Sequence, residues 1–247
     1  MRHKVTYLFL AILVVILVAG TIKSFGSGNG ELRVPTLTQA QKNKTTNKAL
    51  VKKEATGASY SPSKTDLSDP NYASSGVLNN VGQFTIDSNG LETKLVAKTS
   101  SSKLITNGKI IYRILNISIF ENTARTNESL QTARVSYNEP DLGKHYKTMA
   151  IDYMIANSSD VNVTTEGIST IKINSGGVIS SLNGLQNDTS LSSTGVFEGL
   201  TITTGASAIV PNSTPNSGYL TLQFASVKHA NTIEDLVQPA KPIRIKY

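Results

Sequence analysis

The longest apolar run of the chain lies close to its beginning. Residues 5–22 contain no charged side chain, and polar positions do not recur there at the 3.6-residue spacing expected of a helix in a globular core. A helix of this length rises about 27 Å, close to the thickness of a bilayer core. The pattern therefore predicts one N-terminal transmembrane helix or signal peptide within residues 1–23.

Charges next to this run predict its orientation in the membrane, whereas the small residues around it leave open whether it is cleaved. Arg2 and Lys4 precede it, which favours an inward N-terminus and an exported remainder. Small residues at 18–20 and at 24–26 suit a signal peptidase, so the segment is either a retained anchor or a cleaved signal. Bacterial lipoproteins carry a lipidated cysteine after such a run, but Thr21 stands there and cannot form the thioether. We predict a single-pass membrane protein with an extracellular C-terminal domain, or a secreted protein if the segment is cleaved.

The next segment, residues 24–76, has a different composition. It is rich in Ser, Thr, Asn, Lys and Gly, with few large apolar residues and no sustained period. Such a segment buries too little apolar surface to offset its chain entropy. We therefore predict a disordered, basic spacer between the membrane segment and a globular domain that begins at residue 77.

From about residue 77 onward, short β-branched and aromatic runs alternate with turn residues. The clearest run, 146–157, places Met149, Ile151, Tyr153 and Ile155 in strict alternation with the residues between them, which is the pattern of a half-buried strand. Further strands are predicted at 84–86, 92–98, 109–120, 130–137, 161–164, 168–173, 196–203, 219–226 and 243–247. Helical periodicity is scarce. About seven to nine strands at this spacing indicate an all-β antiparallel sandwich over 77–247.

Charge is distributed unevenly between the two parts of the chain. Residues 1–64 carry ten Lys or Arg and two acidic residues, a net +8, whereas residues 65–247 carry 14 basic and 15 acidic residues, a net −1. A nucleic-acid-binding domain needs a basic face, so the near-neutral domain argues against nucleic acid. The basic N-terminal part either contacts an anionic membrane or cell-wall polymer, or is a solvated linker that its charge keeps soluble. Cysteine is absent, which excludes disulfides and thiolate metal sites.

Several features together resemble a known family. They are the export signal, the spacer, a strand and polar turn at 146–160, a Gly turn at 174–177, and the Gly-Tyr-Leu-Thr-Leu-Gln-Phe strand at 218–224. This pattern, over residues 80–247, resembles the telokin-like, immunoglobulin-like domains of Gram-positive surface proteins and lipoproteins. The resemblance implies an immunoglobulin-like sandwich displayed on the envelope, without a general enzymatic activity. Thr21 departs from the lipoprotein pattern of many relatives.

The predicted domain offers few groups for catalysis or metal binding. Its only histidines are His145 and His229, and each is more typical of polar surface than of a site. The segment 87–90, Asp-Ser-Asn-Gly, resembles the start of a calcium-binding loop, but later ligands are missing at the required spacing. Asn-Gly between apolar runs instead favours a hairpin turn. We therefore predict no catalytic, cofactor-binding or metal-binding residues.

The pattern supports one leading hypothesis and two others. The first is a non-enzymatic envelope protein, held by one N-terminal helix, whose sandwich binds a protein or a cell-wall component. The alternative is a structural or assembly subunit that docks in a membrane complex through its N-terminal helix. An envelope hydrolase comes last, because the required constellations are absent from the sequence.

Overall fold

The structure is a computed structural model and describes residues Leu32–Arg33 and 59–247, apart from Ser175, Asn231 and Ile233. The predicted membrane segment and most of the predicted spacer therefore lie outside the described residues. Within the described part of the chain, no helix has the length and apolar character needed to cross a membrane.

The described residues are mostly β-structure, and the strand pairings that define their sheets are antiparallel. This confirms the predicted all-β class. The strands are β1 (Leu32–Arg33), β2 (Val77–Leu78), β3 (Phe84–Ile86), β4 (Leu91–Ser100), β5 (Leu104–Asn107), β6 (Ile110–Ala124), β7 (His145–Asn157), β8 (Val163–Thr165), β9 (Ile168–Ile173), β10 (Val178–Ser180), β11 (Leu185–Asn187), β12 (Thr201–Val210), β13 (Tyr219–Phe224), β14 (Val227–His229), β15 (Asp235–Val237) and β16 (Ile243–Lys246).

Two sheets make up most of the domain. The large sheet has the order β11-β12-β7-β6-β4-β3, with β5 also paired to β6, and the small sheet has the order β10-β9-β13-β16. A three-stranded sheet, β15-β14-β8, and the short pair β1-β2 complete the pairing. The large sheet therefore contains the long central strands, and the small sheet contains the C-terminal strand.

One hydrophobic core lies between the large and small sheets. The predicted alternation in β7 is confirmed, because Met149, Ile151, Tyr153 and Ile155 are all at most 1% exposed. These side chains belong to one cluster with apolar residues of β9, β13 and β16. Alternation thus turns one face of β7 toward the small sheet, and the two sheets are held together by apolar burial.

Three aromatic rings join the sheets at the centre of this core. The ring of Phe224, in β13 of the small sheet, stacks on the ring of Tyr112 in β6, with centroids 3.9 Å apart. Tyr153 in β7 meets the same ring edge-on, with centroids 5.3 Å apart. Offset-stacked and edge-on arrangements are the favourable geometries for aromatic pairs, so Phe224 fixes the small sheet against both central strands.

In the part of the chain that the structure describes, three short helices accompany the sheets: α1 (Lys64–Ser68), α2 (Asn127–Tyr137) and α3 (Ser190–Ser193). The strand predicted at 130–137 is wrong, since these residues form most of α2. Thr126 and Ser129 form a reciprocal capping box at the start of the helix, and Asn138 ends it in the left-handed conformation with φ of 52°. These capping signals, together with burial of Leu130 and Ala133 three residues apart, favour the helical period.

Helix α2 and a segment that we call the strap, residues 59–80, cover part of the outer face of the large sheet. Leu78 of the strap is fully buried in a second small cluster with Leu95, Phe120 and Ala150. Residues 59–76 fall within the predicted spacer, yet the structure packs them onto the domain. The hydropathy pattern of residues 59–76 did not predict this packing, because the strap contributes only a few apolar side chains to the cluster.

A charged cluster centred on Arg125 holds the strap in place. The Arg125 guanidinium donates two parallel hydrogen bonds to the Asp66 carboxylate, at 2.8 and 2.9 Å, and two more to Glu92 Oε2, at 2.9 and 2.6 Å. Arg125 Nη1 also lies 3.3 Å from the Tyr60 hydroxyl oxygen. Hydrogen bonds from Arg125 keep the pKa of Asp66 well below its usual range, and hydrogen bonds from Ser63 make a smaller contribution in the same direction. Forked arginine pairing of this kind specifies geometry as well as charge.

Candidate functional site

The two histidines of the domain do not come together. His145 is exposed at the start of β7, where its Nδ1 lies 3.1 Å from the Thr123 hydroxyl. His229 lies in the three-stranded sheet, opposite Val163 of β8. Among the residues that the structure describes, no group of three or more His, Cys, Asp or Glu could hold a metal ion.

The Asp-Ser-Asn-Gly segment forms the turn of the β3–β4 hairpin. Asp87 Oδ1 accepts hydrogen bonds from the backbone N–H groups of Asn89, at 2.9 Å, and Leu91, at 2.8 Å. Gly90 adopts a φ of 84°, which a residue with a Cβ atom rarely tolerates. This carboxylate oxygen therefore stabilises the turn.

A cavity of about 80 Å³ lies between α2 and the outer face of the large sheet. Its lining combines apolar side chains such as Leu91 and Phe120 with polar ones, including Asn122 and Thr148. Within the wall, Asn122 donates to the Thr148 hydroxyl at 2.9 Å and accepts from Thr93 at 3.1 Å. The polar groups of Thr93, Asn122 and Thr148 in its wall are thus hydrogen-bonded to one another.

A second depression, of about 250 Å³, lies beside strand β10 at the edge of the small sheet. Strand edges of this kind can receive an added strand from a partner. Here the side chain of Asn183 covers the edge, because its oxygen accepts from the Ser180 backbone N–H at 2.8 Å and its amide donates to the Val178 carbonyl at 3.0 Å. The covered edge disfavours strand addition at β10.

Asp152 is an acidic residue in the middle of the large sheet. It lies on the outer face, between Asn116 of β6 and Gly205 of β12. Burial raises the pKa of Asp152 to about 6, against the opposing effects of the Lys98 charge and a hydrogen bond from Asn116. A carboxyl group with this pKa is ionised at neutral pH at a cost in stability.

The outward side of the small sheet carries a group of three cations. Lys172 in β9 and Arg244 in β16 both lie opposite Thr221 in β13, and Lys246 lies opposite Tyr219. We call these five residues the basic face. The three cations are exposed, and strands β9, β10, β13 and β16 contain no Asp or Glu.

Contacts within the basic face orient its arginine. The Arg244 guanidinium carbon lies 4.2 Å from the centroid of the Tyr219 ring, which is 42% exposed. No carboxylate of the described residues lies within ion-pair distance of Lys172, Arg244 or Lys246. A sheet surface with unneutralised cations and a stacked guanidinium can bind anionic groups.

Sequence reasoning did not find the basic face. Lys172 is distant along the chain from Arg244 and Lys246, which share strand β16, and only strand pairing places it on the same surface. The available signal was local: in Ile-Lys-Ile and Ile-Arg-Ile-Lys the cations occupy the polar positions of an alternating strand. That signal predicts an outward cation in each strand, but it does not predict which strands are neighbours.

Comparison with known proteins identifies no relative of this chain: no family model, no curated protein and no solved structure matches it.

Proposed function

We propose that this chain is a non-enzymatic envelope protein, anchored by its N-terminal apolar segment, whose β-domain binds a partner outside the membrane through the basic face. The observation that carries the proposal is the face itself, with three exposed cations and no acidic residue on its four strands. The uncharged run at 5–22, preceded by Arg2 and Lys4, supports export.

The position of the strap supports presentation of this face away from the anchor. The strap packs on the outer side of the large sheet, and the small sheet packs on its inner side. The chain therefore enters the domain on one side, and the basic face lies on the other. A tether attached in this way leaves the face free to meet a partner.

We further propose that the domain is immunoglobulin-like in its two-sheet architecture, as the resemblance to telokin-like surface domains implies. Two antiparallel sheets around one core support this. The strand order differs, because β3, β4, β6 and β7 all lie in the large sheet, whereas a constant-type immunoglobulin domain sends its third strand to the opposite sheet. The proposal therefore concerns the architecture and not the strand order.

Trypsin treatment of intact cells that express the full chain tests the export. Trypsin cuts after Lys and Arg, and we expect a released fragment that begins at Glu54, after Lys53. The next site, Lys64, lies in helix α1, which the charged cluster centred on Arg125 holds against the domain. Loss of this cluster in Arg125→Ala should free the strap, so that cleavage after Lys64 yields a fragment beginning at Thr65. N-terminal sequencing of the fragments reads both results.

Arg134→Ala is the matched control for Arg125→Ala. Arg134 is also partly buried, but it donates to the Leu142 carbonyl at 2.9 Å rather than to the strap, so its fragment should still begin at Glu54. A chain that trypsin cuts only after the cells are lysed would contradict the proposed export.

A further inference from the structure

We infer that the basic face binds a linear polymer whose repeating units carry phosphate diesters. This inference names the partner of the proposed function and rests on it. Lys172 and Arg244 flank Thr221 on opposite sides, so their backbones are two strand spacings apart, about 10 Å. Lys246 follows two residues after Arg244, about 7 Å further along the strand. The cations thus form a bent row on the outward surface of the sheet, which suits a ligand with several separated anionic groups better than a single small anion.

The chemistry of the arginine favours phosphate as the anionic group. A guanidinium presents its N–H donors as a planar fork that matches the oxygens of a phosphate, and it gives up its hydration more readily than an ammonium. The ring of Tyr219, 4.2 Å below the Arg244 guanidinium, reduces the freedom of this side chain before a ligand arrives. Lys172 and Lys246 then supply point charges for neighbouring phosphates along the chain.

Two other phosphate-bearing partners fit the surface less well. The proposed anchor would place the membrane on the side where the strap joins the domain, which is the side away from the basic face. Single-stranded nucleic acid is bound by successive aromatic platforms, whereas the strands of this sheet present one outward aromatic side chain, Tyr219. A flexible polymer of polyol units joined by phosphate diesters has no bases to stack, so the row of charges on the basic face is sufficient to bind it.

Titration of the purified full chain with poly(glycerol phosphate) tests the inference. The triple variant K172Q/R244Q/K246Q removes the charges of the basic face and keeps side chains of polar character on the strands. We expect its affinity at about 0.1 M salt to be 10- to 100-fold lower. The slope of log affinity against log salt concentration should fall by about 2 to 3, because about three ionic contacts are lost.

The matched control is K64Q/K103Q/K144Q, which removes the same charge from exposed positions on α1, on the β4–β5 loop and on the loop before β7. Its affinity should stay within about twofold of the parent. Equal losses in the two triple variants, or no loss in either, would assign binding to overall charge or to the basic N-terminal part and overturn the inference. Thermal unfolding of each variant, followed by circular dichroism, separates a lost contact from a lost fold.

Three further probes test the choice of partner. Polyglutamate that binds as tightly as poly(glycerol phosphate) would overturn the preference for phosphate. Vesicles of anionic phospholipid, or a single-stranded oligonucleotide, that bind more tightly than the polymer and lose affinity in the face variant would overturn the choice of a polyol polymer. The proposed export is unaffected by each of these outcomes, because the trypsin experiment measures it independently.

Discussion

Phe224→Ala should lower the free energy of unfolding by about 3–5 kcal/mol, because it removes a fully buried ring from the contact between the two sheets. The ring of Phe224 is 1% exposed and touches Tyr112 and Tyr153 of the large sheet. Truncation leaves a cavity that the rigid central strands cannot close, and it also removes the aromatic pairing. Urea unfolding of the parent and the variant, followed by circular dichroism, measures the difference.

Phe197→Ala is the control for this experiment, because the Phe197 ring is 49% exposed. Surface truncations away from special features usually change stability by less than about 0.5 kcal/mol. Similar losses for the two variants would mean that Phe224 does not occupy the centre of the core, and the arrangement of the two sheets would have to be revised.

Asp152→Asn should raise the free energy of unfolding at pH 8 by about 2–3 kcal/mol, with almost no effect near pH 3. The pKa of Asp152 is about 6 in the folded protein, compared with an ordinary value of 3.8, and burial is the main cause. The folded state therefore holds the proton more tightly than the unfolded state. The parent loses stability as the pH rises from about 4 to about 6, whereas an uncharged Asn carries no such penalty.

Asp160→Asn is the control, because Asp160 is an exposed carboxylate with a lowered pKa, in contrast to Asp152. Asp160 is largely exposed and lies 3.4 Å from Lys109 Nζ, and hydrogen bonds keep its pKa below the ordinary value. Its removal should leave stability nearly unchanged at pH 8, because exposed ion pairs contribute little. A stability gain at pH 8 for Asp160→Asn that equals the gain for Asp152→Asn would show that net charge, and not burial of Asp152, causes the effect.

Local signals in the sequence predicted the centre of the fold well. The alternation from Met149 to Ile155 identified the inward face of β7, and Asn89–Gly90 identified the β3–β4 hairpin. Both features depend on residues that are close along the chain: strand alternation has a period of two, and a tight turn needs a residue that tolerates positive φ. The all-β class follows from the repetition of such signals.

Features that depend on distant pairing could not be predicted in this way. Residues 130–137 contain β-branched and aromatic side chains, but the Thr126 cap and burial of Leu130 and Ala133 favour a helix over the outer face of the large sheet. The strap is held by Asp66 and Arg125, which lie 59 residues apart. The raised pKa of Asp152 depends on which strands flank β7, and alternation alone does not specify those neighbours.

Labelling of Lys172→Cys in intact cells tests most directly whether the basic face is exposed outside the membrane. The natural chain has no cysteine, so a membrane-impermeant maleimide reports on this position alone. The Ala208→Cys variant, at a position that is 0% exposed, controls for unfolding. We predict that Lys172→Cys reacts in intact cells to the same extent as after permeabilisation, whereas Ala208→Cys reacts only in denaturant. Labelling of Lys172→Cys only after permeabilisation, or only in denaturant, would contradict the account.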